Sequence, residues 1–328
     1  MPPSVWRANL LFWAGRIQRA VQYAFYDWTR EIPRWKRALT WLGLLIQGYA
    51  IWAALTRSLV WPVMWPEGFV LLNTIWLTWA FGGLLINGML TSELVRKTQM
   101  ESDLSAARRI QDTLHPHGPL AVTGYQVESS YTPFRVVGGD YFDVVELGNG
   151  RTLFAMADVA GKGMPAALLA ANVQALVRSI ATTDPSPLTL ATRINEHLSR
   201  YTPDDRFVTA VFAVLAHASG NVAYVNAGHN APLLATNGAA TSLEATGVPL
   251  GLFAAAPYEV RTAEIPPGGT LLFFTDGLPD SIRDDDPESR IRHVVSQSGA
   301  KLTIASVTTL VDRRLVADDI TMVLVRRL

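Results

Sequence analysis

The sequence predicts an α+β layered domain over residues 120–328, preceded by two membrane-crossing helices and a linker helix. Three observations predict it. Two long windows, 38–56 and 68–92, carry no charged residue. From residue 120 onward, apolar β-prone runs appear at 151–158, 206–215, 221–226, 269–275 and 320–326. Helix-like stretches at 164–181 and 187–201 fall together between the first two runs, and a third at 300–315 precedes the last. Strands separated by paired helices suit a layered α+β domain rather than an alternating βα barrel.

The bulk composition excludes several chemistries. Lys and Arg number 28 against 28 Asp and Glu, so a net charge of zero gives no argument for nucleic-acid binding. There are 0 cysteines, which removes disulfides, thiolate zinc sites and cysteine nucleophiles. All 10 tryptophans lie within residues 1–79, a clustering that suits a membrane interface.

Each charge-free window is long enough to cross a hydrocarbon core of ~30 Å as a helix. The alternative is a pair of buried helices in a soluble domain. Arg7, Arg16, Arg19, Arg30, Arg34, Lys36 and Arg37 precede the first window, and Arg96, Lys97, Arg108 and Arg109 follow the second. The short loop between them holds Arg57 and Glu67. The positive-inside rule therefore places both termini and the C-terminal domain in the cytoplasm, with 38–91 as a multi-pass hairpin in the cell membrane. The stretch 1–37 repeats Trp6, Leu10, Trp13, Ile17, Val21, Ala24 and Trp28 at helical spacing. It reads as an interfacial helix, or as one packed on the C-terminal domain or a partner.

Residues 92–119 form the linker. Residues 92–114 contain no glycine or proline, and Leu104, Ala107, Ile110 or Gln111, and Leu114 make a short stripe. A parallel coiled coil in a homodimer and a solvated spacer helix both fit. His115-Pro116 and Gly118-Pro119 stop the helix.

The chemistry resides in short Gly- and Asp-containing segments: Gly138-Gly139-Asp140-Tyr141-Phe142-Asp143, Ala157-Asp158-Val159-Ala160-Gly161-Lys162-Gly163, Ala227-Gly228-His229-Asn230, Thr275-Asp276-Gly277 and Asp318-Asp319-Ile320-Thr321. Carboxylates at strand ends cannot be buried unpaired without a large penalty. Lys162 is the basic residue that stands beside them in sequence. Divalent metal is the economical neutraliser, because hard oxygen donors suit Mg²⁺ or Mn²⁺. Singly, each segment reads as an ordinary turn, and Gly161-Lys162-Gly163 lacks the spacing of a nucleotide-binding P-loop. Asp284-Asp285-Asp286 reads as a solvated loop, and His229 as a buried structural histidine rather than a general acid.

Taken together and in order, these segments resemble the SpoIIE/RsbU-type branch of the metal-dependent, protein phosphatase 2C-like (PPM) serine/threonine phosphatases. The resemblance covers 120–328 and extends to the lead-in Arg109–Pro116. It implies an αββα sandwich with two Mn²⁺ or Mg²⁺ ions at one end. Asp140, Asp158 and the backbone carbonyl of Val159 would hold one ion. Asp158, Asp276 and Asp318 would hold the other, with Asp319 either behind them or ligating in place of Asp318. A metal-bound water would be the nucleophile. The implied substrate is a phosphorylated anti-sigma-factor antagonist of the STAS type in a partner-switching pathway. A catalytically silent phosphoprotein-binding scaffold and a small-molecule phosphohydrolase are the alternatives. Tyr141-Phe142 stands where the family more often has Phe-Tyr, Ala160 where a serine is common, and Pro279-Asp280 where many members carry a glutamate.

Overall fold

A computed structural model describes residues 38, 41–49, 52, 66–116, 120–203, 205–236 and 238–328. The interfacial segment expected over 1–37, the loop between the two charge-free windows and the Gly118-Pro119 stop lie outside the described residues. The chain divides into two compact units, Met1–Glu101 and Ser102–Leu328.

Residues 41–49 are helical, and the next described helix is α1, Pro66–Leu114, whose residues from Ser102 onward belong to the second unit. Helix α1 spans 49 residues without interruption and takes in both the second charge-free window and the linker. The helical stretch 41–49 packs on α1 through glycines. A Cβ on Gly82 would lie 2.8 Å from Gln47 Cγ and 3.0 Å from the Gly43 carbonyl, and one on Gly43 would lie 3.0 Å from Ile86. Small residues that let helix backbones approach are a device of membrane bundles. Trp41, Leu45, Tyr49, Trp52, Phe81 and Leu84 are all exposed.

The second unit is built on two antiparallel sheets. Sheet A orders its strands β1 (Leu120–Val122), β2 (Tyr125–Thr132), β11 (Ile320–Arg327), β10 (Thr270–Phe274), β7 (Leu233–Thr236) and β8 (Ala239–Ser242). Sheet B orders β3 (Tyr141–Gly148), β4 (Arg151–Val159), β5 (Val208–Ala216), β6 (Asn221–Ala227) and β9 (Arg261–Glu264). Helices α2 (Met164–Ala181) and α3 (Pro187–Tyr201) cover sheet B. Helices α5 (Pro287–Ser298) and α6 (Ile304–Thr308) cover sheet A, and the short α4 (Gly277–Asp280) leads into them.

Side-chain alternation produces the layers. In β4, Phe154 and Met156 point between the sheets, whereas Leu153, Ala155 and Ala157 point at α2 and α3. In β10, Phe273 points between the sheets, whereas Leu272 and Phe274 point at α5 and α6. Period-two alternation with both faces apolar is what a sheet buried on two sides requires. Phe154 and Phe273 stack across the sandwich at 5.9 Å. Helix α2 is apolar and long enough to cross a membrane, but Val173 and Val177 are fully buried on sheet B, as befits a core helix.

The Asp284–Asp286 stretch is exposed and lies outside any helix, as expected of a solvated loop, and its last residue caps α5: the Asp286 side chain accepts from the Ser289 N–H at 3.0 Å, with Pro287 at the first helical position. One local expectation is corrected. The stretch 300–315 is not one helix. A 3₁₀ turn at Gly299–Lys301 is followed by α6, which a reciprocal Thr303–Ser306 capping box restarts.

Candidate metal centre

The two sheets bring their acidic ends to one edge of the sandwich. Asp140 immediately precedes β3, and Asp158 is the penultimate residue of β4, whose Ala157 pairs with Tyr141. Asp276 follows β10, and Asp318 and Asp319 precede β11, its neighbour in sheet A. Four strand ends from two sheets thus deliver Asp140, Asp158, Asp276 and Asp318.

Asp140 is 2 % exposed, and threonines from the opposite sheet hold it. Its Oδ2 accepts the hydroxyls of Thr275 at 2.8 Å and Thr321 at 2.5 Å. The Thr275 hydroxyl oxygen also accepts the Thr321 N–H at 3.0 Å, so the three residues tie sheet B to sheet A at the site. These threonines were inside the sequence segments, but their role was not readable from spacing.

Asp319 is committed to the backbone. Its Oδ1 accepts the Phe134 N–H and its Oδ2 the Gly139 N–H, both at 2.8 Å. It therefore shapes the loop that presents Asp140. Gly138 is required there, because a Cβ would collide with the Asp319 carboxylate and the Tyr131 hydroxyl. Gln111 of α1 grips the same glycine, donating to its carbonyl at 2.8 Å and accepting its N–H at 3.1 Å. Of the two linker positions left open in sequence, Gln111 is buried against the domain and Ile110 is 64 % exposed. Ala107 and Gln111 line an apolar cavity of about 120 Å³ that reaches Asp140, with Val137, Met164 and Leu168 on its other walls. The Val159 carbonyl faces this loop, 3.2 Å from where a Cβ on Gly139 would lie.

The electrostatics show what the cluster lacks. Burial, and then the charges of Asp276, Asp318 and Asp319, push Asp158 up to about 7, against a hydrogen bond with Asp140 that works the other way. Burial and then the Asp158 charge hold Asp140 well above the usual carboxylate range. Burial and then Asp318 raise Asp276 as well. Crowded, half-desolvated carboxylates retain protons unless a cation replaces them. Among the described residues the side chains are not already closed into a three-ligand cage. The donor set is nevertheless all oxygen and strongly acidic, which fits Mg²⁺ or Mn²⁺ and not a softer metal.

Asp143 does not join them. It is buried and accepts from Arg178 Nε at 2.7 Å, Arg178 Nη2 at 3.1 Å, Tyr141 Oη at 3.2 Å and the Val144 N–H at 2.9 Å. Its neutraliser is thus Arg178, from the far end of α2, a partner that neighbouring sequence could not reveal. His229 is buried, with Nδ1 2.8 Å from Thr209 Oγ1 and its N–H on Asn226 Oδ1 at 2.8 Å. Burial lowers it to about 4, so it is neutral near pH 7. Thr209 is the register partner of Asp158, which places His229 behind the site as a brace.

Comparison with known proteins agrees with the two-sheet fold. Residues 148–328 match the family model for Stage II sporulation protein E (SpoIIE), a match that begins after Asp140. Protein IcfG of Synechocystis is 25 % identical over 262 residues, covering 69 % of this chain and 41 % of IcfG. Phosphoserine phosphatase RsbP of Bacillus subtilis is 27 % identical over 190 residues, covering 56 % of this chain and 47 % of RsbP. The chain thus spans less than half the length of each. The SiaA-PP2C domain of Pseudomonas aeruginosa superposes with a TM-score of 0.60 at 19 % identity, covering 70 % of this chain and 98 % of that domain.

Proposed function

The chain belongs to the SpoIIE family, and from that premise we propose that it is a metal-dependent protein phosphatase that hydrolyses phosphoserine or phosphothreonine. The observation that carries the proposal is the convergence of Asp140, Asp158, Asp276 and Asp318 from both sheets, a charge that the Lys162 ammonium on Asp318 is too small to balance. Asp140, Asp158 and the Val159 carbonyl would hold one Mn²⁺ or Mg²⁺ ion, and Asp158, Asp276 and Asp318 would hold a second. When bound, such ions acidify water and clamp a phosphoryl group. The protein's own part is positional: Thr275 and Thr321 aim Asp140, Asp319 and Gln111 fix the Gly138-Gly139 loop, and neutral His229 braces β5 behind Asp158.

The proposed substrate is a phosphorylated STAS-type anti-sigma-factor antagonist in a partner-switching pathway; likeness to the phosphoserine phosphatase RsbP supports the phosphoserine in that reading. The proposed location is the inner face of the cell membrane, anchored by a hairpin over 38–91. The close Gly43–Gly82 approach and the exposed Trp41, Leu45, Trp52 and Phe81 support that anchor. A homodimer through the linker would use its outward face, where Ile110 is exposed.

The test is Mn²⁺-dependent phosphate release from a phosphoserine STAS protein by the full-length chain. Turnover that disappears in Asp158→Asn is expected. Equal turnover in both proteins, or turnover insensitive to chelator, would overturn the assignment.

A further inference from the structure

Lys162 lies between two glycines in the left-handed region, Gly161 at φ 105° and Gly163 at φ 79°. Such backbone is open to glycine and strained for other residues, so the loop places the lysine side chain over the carboxylates without a flanking side chain in the way. Its ammonium is held three times. Nζ is 2.5 Å from Asp318 Oδ2, donates to the Ala317 carbonyl at 2.6 Å, and lies 5.6 Å from the centre of the Phe134 ring. Phe134 is itself tied to the cluster, since its N–H donates to Asp319. The Lys162 charge also acts on Asp276, where it opposes the effect of burial.

The other oxygen of Asp318, Oδ1, accepts the Asp319 N–H at 2.9 Å. Both oxygens of Asp318 therefore already have a donor, and one donor is a full positive charge. A divalent cation at Asp318 Oδ2 must displace that ammonium or share the oxygen with it, and one at Oδ1 still lies across the same carboxylate from it, so in either place the two positive charges repel. The lysine has somewhere to go. Its side chain is 40 % exposed and ends a flexible four-carbon stem.

We propose that Lys162 is a built-in competitor for the metal at Asp318, occupying that carboxylate in the metal-free protein and weakening the second cation's binding. The charge count agrees: when Asp140, Asp158, Asp276, Asp318 and Asp319 are all ionised, two divalent cations and one lysine balance them. The lysine thus keeps the empty cluster from being starkly anionic and sets the metal concentration at which the site fills. This rests on the metal-centre reading above.

The experiment is a calorimetric Mn²⁺ titration of the full-length protein at fixed pH and ionic strength, with wild type, Lys162→Gln, Lys162→Ala and Lys162→Arg. Neutral Gln and Ala are expected to bind the weaker Mn²⁺ roughly tenfold more tightly, the size of one nearby charge at a partly solvated site, with Arg close to wild type. Melting gives a second readout. In chelator the Gln variant should melt below wild type, yet gain a larger rise on adding Mn²⁺. Mn²⁺ bound equally or more weakly by Gln and Ala would overturn the competitor role while leaving the metal centre intact. No Mn²⁺ bound by any of the four proteins would overturn the metal centre, and the proposal with it.

Discussion

Replacing Thr321 with valine removes one hydroxyl and keeps the shape. Thr321 is fully buried in β11, where a β-branched residue is at home, so the packing survives. What is lost is the 2.5 Å donor to Asp140 Oδ2. A hydrogen bond to a charged group contributes about 1.5–3 kcal/mol, and its removal leaves a buried acceptor short of a partner. Asp140 retains the Thr275 hydroxyl and can take up a proton, so part of the loss is recovered. We expect the metal-free protein to lose about 1–2 kcal/mol of unfolding free energy at pH 8, measured by urea denaturation in chelator. The sign of the proton effect follows. The hydroxyl lowers the proton affinity of Asp140, so its loss raises that affinity further, and Mn²⁺ must compete with a more tightly held proton. Mn²⁺ affinity at pH 7 should fall roughly tenfold and recover as the pH rises. A Thr321→Val protein with wild-type stability and an unshifted pH profile of Mn²⁺ binding would refute this reasoning.

Other perturbations test separate parts of the site. Asp158 is raised to about 7 from an ordinary value of 3.8, so in metal-free protein it binds its proton more tightly folded than unfolded. Stability in chelator should therefore fall as the pH rises from 4 to 7, by up to about 4 kcal/mol, and Mn²⁺ affinity should climb through the same window; a flat Mn²⁺ affinity between pH 5 and 8 would count against the shift. Arg178→Met should cost about 2 kcal/mol in urea unfolding, because it strands buried Asp143, discounted because the arginine side chain is 56 % exposed; adding Asp143→Asn should restore part of it. Gly138→Ala should reduce Mn²⁺ affinity more than it changes far-ultraviolet circular dichroism, since the added methyl meets the Asp319 carboxylate rather than the core; unchanged Mn²⁺ binding would show that the loop yields freely.

Much of this was legible in the chain, for physical reasons that differ by element. Helices α2 and α3 were readable to the residue because each begins at or next to a proline and presents an apolar face. Asp158, Asp276 and Asp318 were readable because each ends or opens an apolar run, and strand ends gather at one edge of a sheet, whereas Asp140, after a Gly-Gly turn, was placed with them by the family resemblance alone. Helix α5 was missed because the acidic run Asp284-Asp285-Asp286 before it drew the reading, whereas the signal was Asp286-Pro287 at its start. Strands β2 and β3 were passed over because their polar residues, such as Glu128, Ser129 and Asp143, interrupt the apolar pattern. The partnerships of Asp143 with Arg178 and of Asp140 with Thr321 were not legible. They join residues far apart in the chain, and only the folded sandwich brings them within bonding distance.

The most direct measurement is the number of Mn²⁺ ions bound per chain at pH 8, by calorimetry, in wild type and in Asp158→Asn. Two ions are expected in the wild type. Asp158 hydrogen-bonds Asp140 and feels the charges of Asp276 and Asp318, so its loss should weaken both ions together. No bound Mn²⁺ in the wild type, or two ions bound unchanged in Asp158→Asn, would contradict the assignment of this aspartate cluster as a two-metal centre.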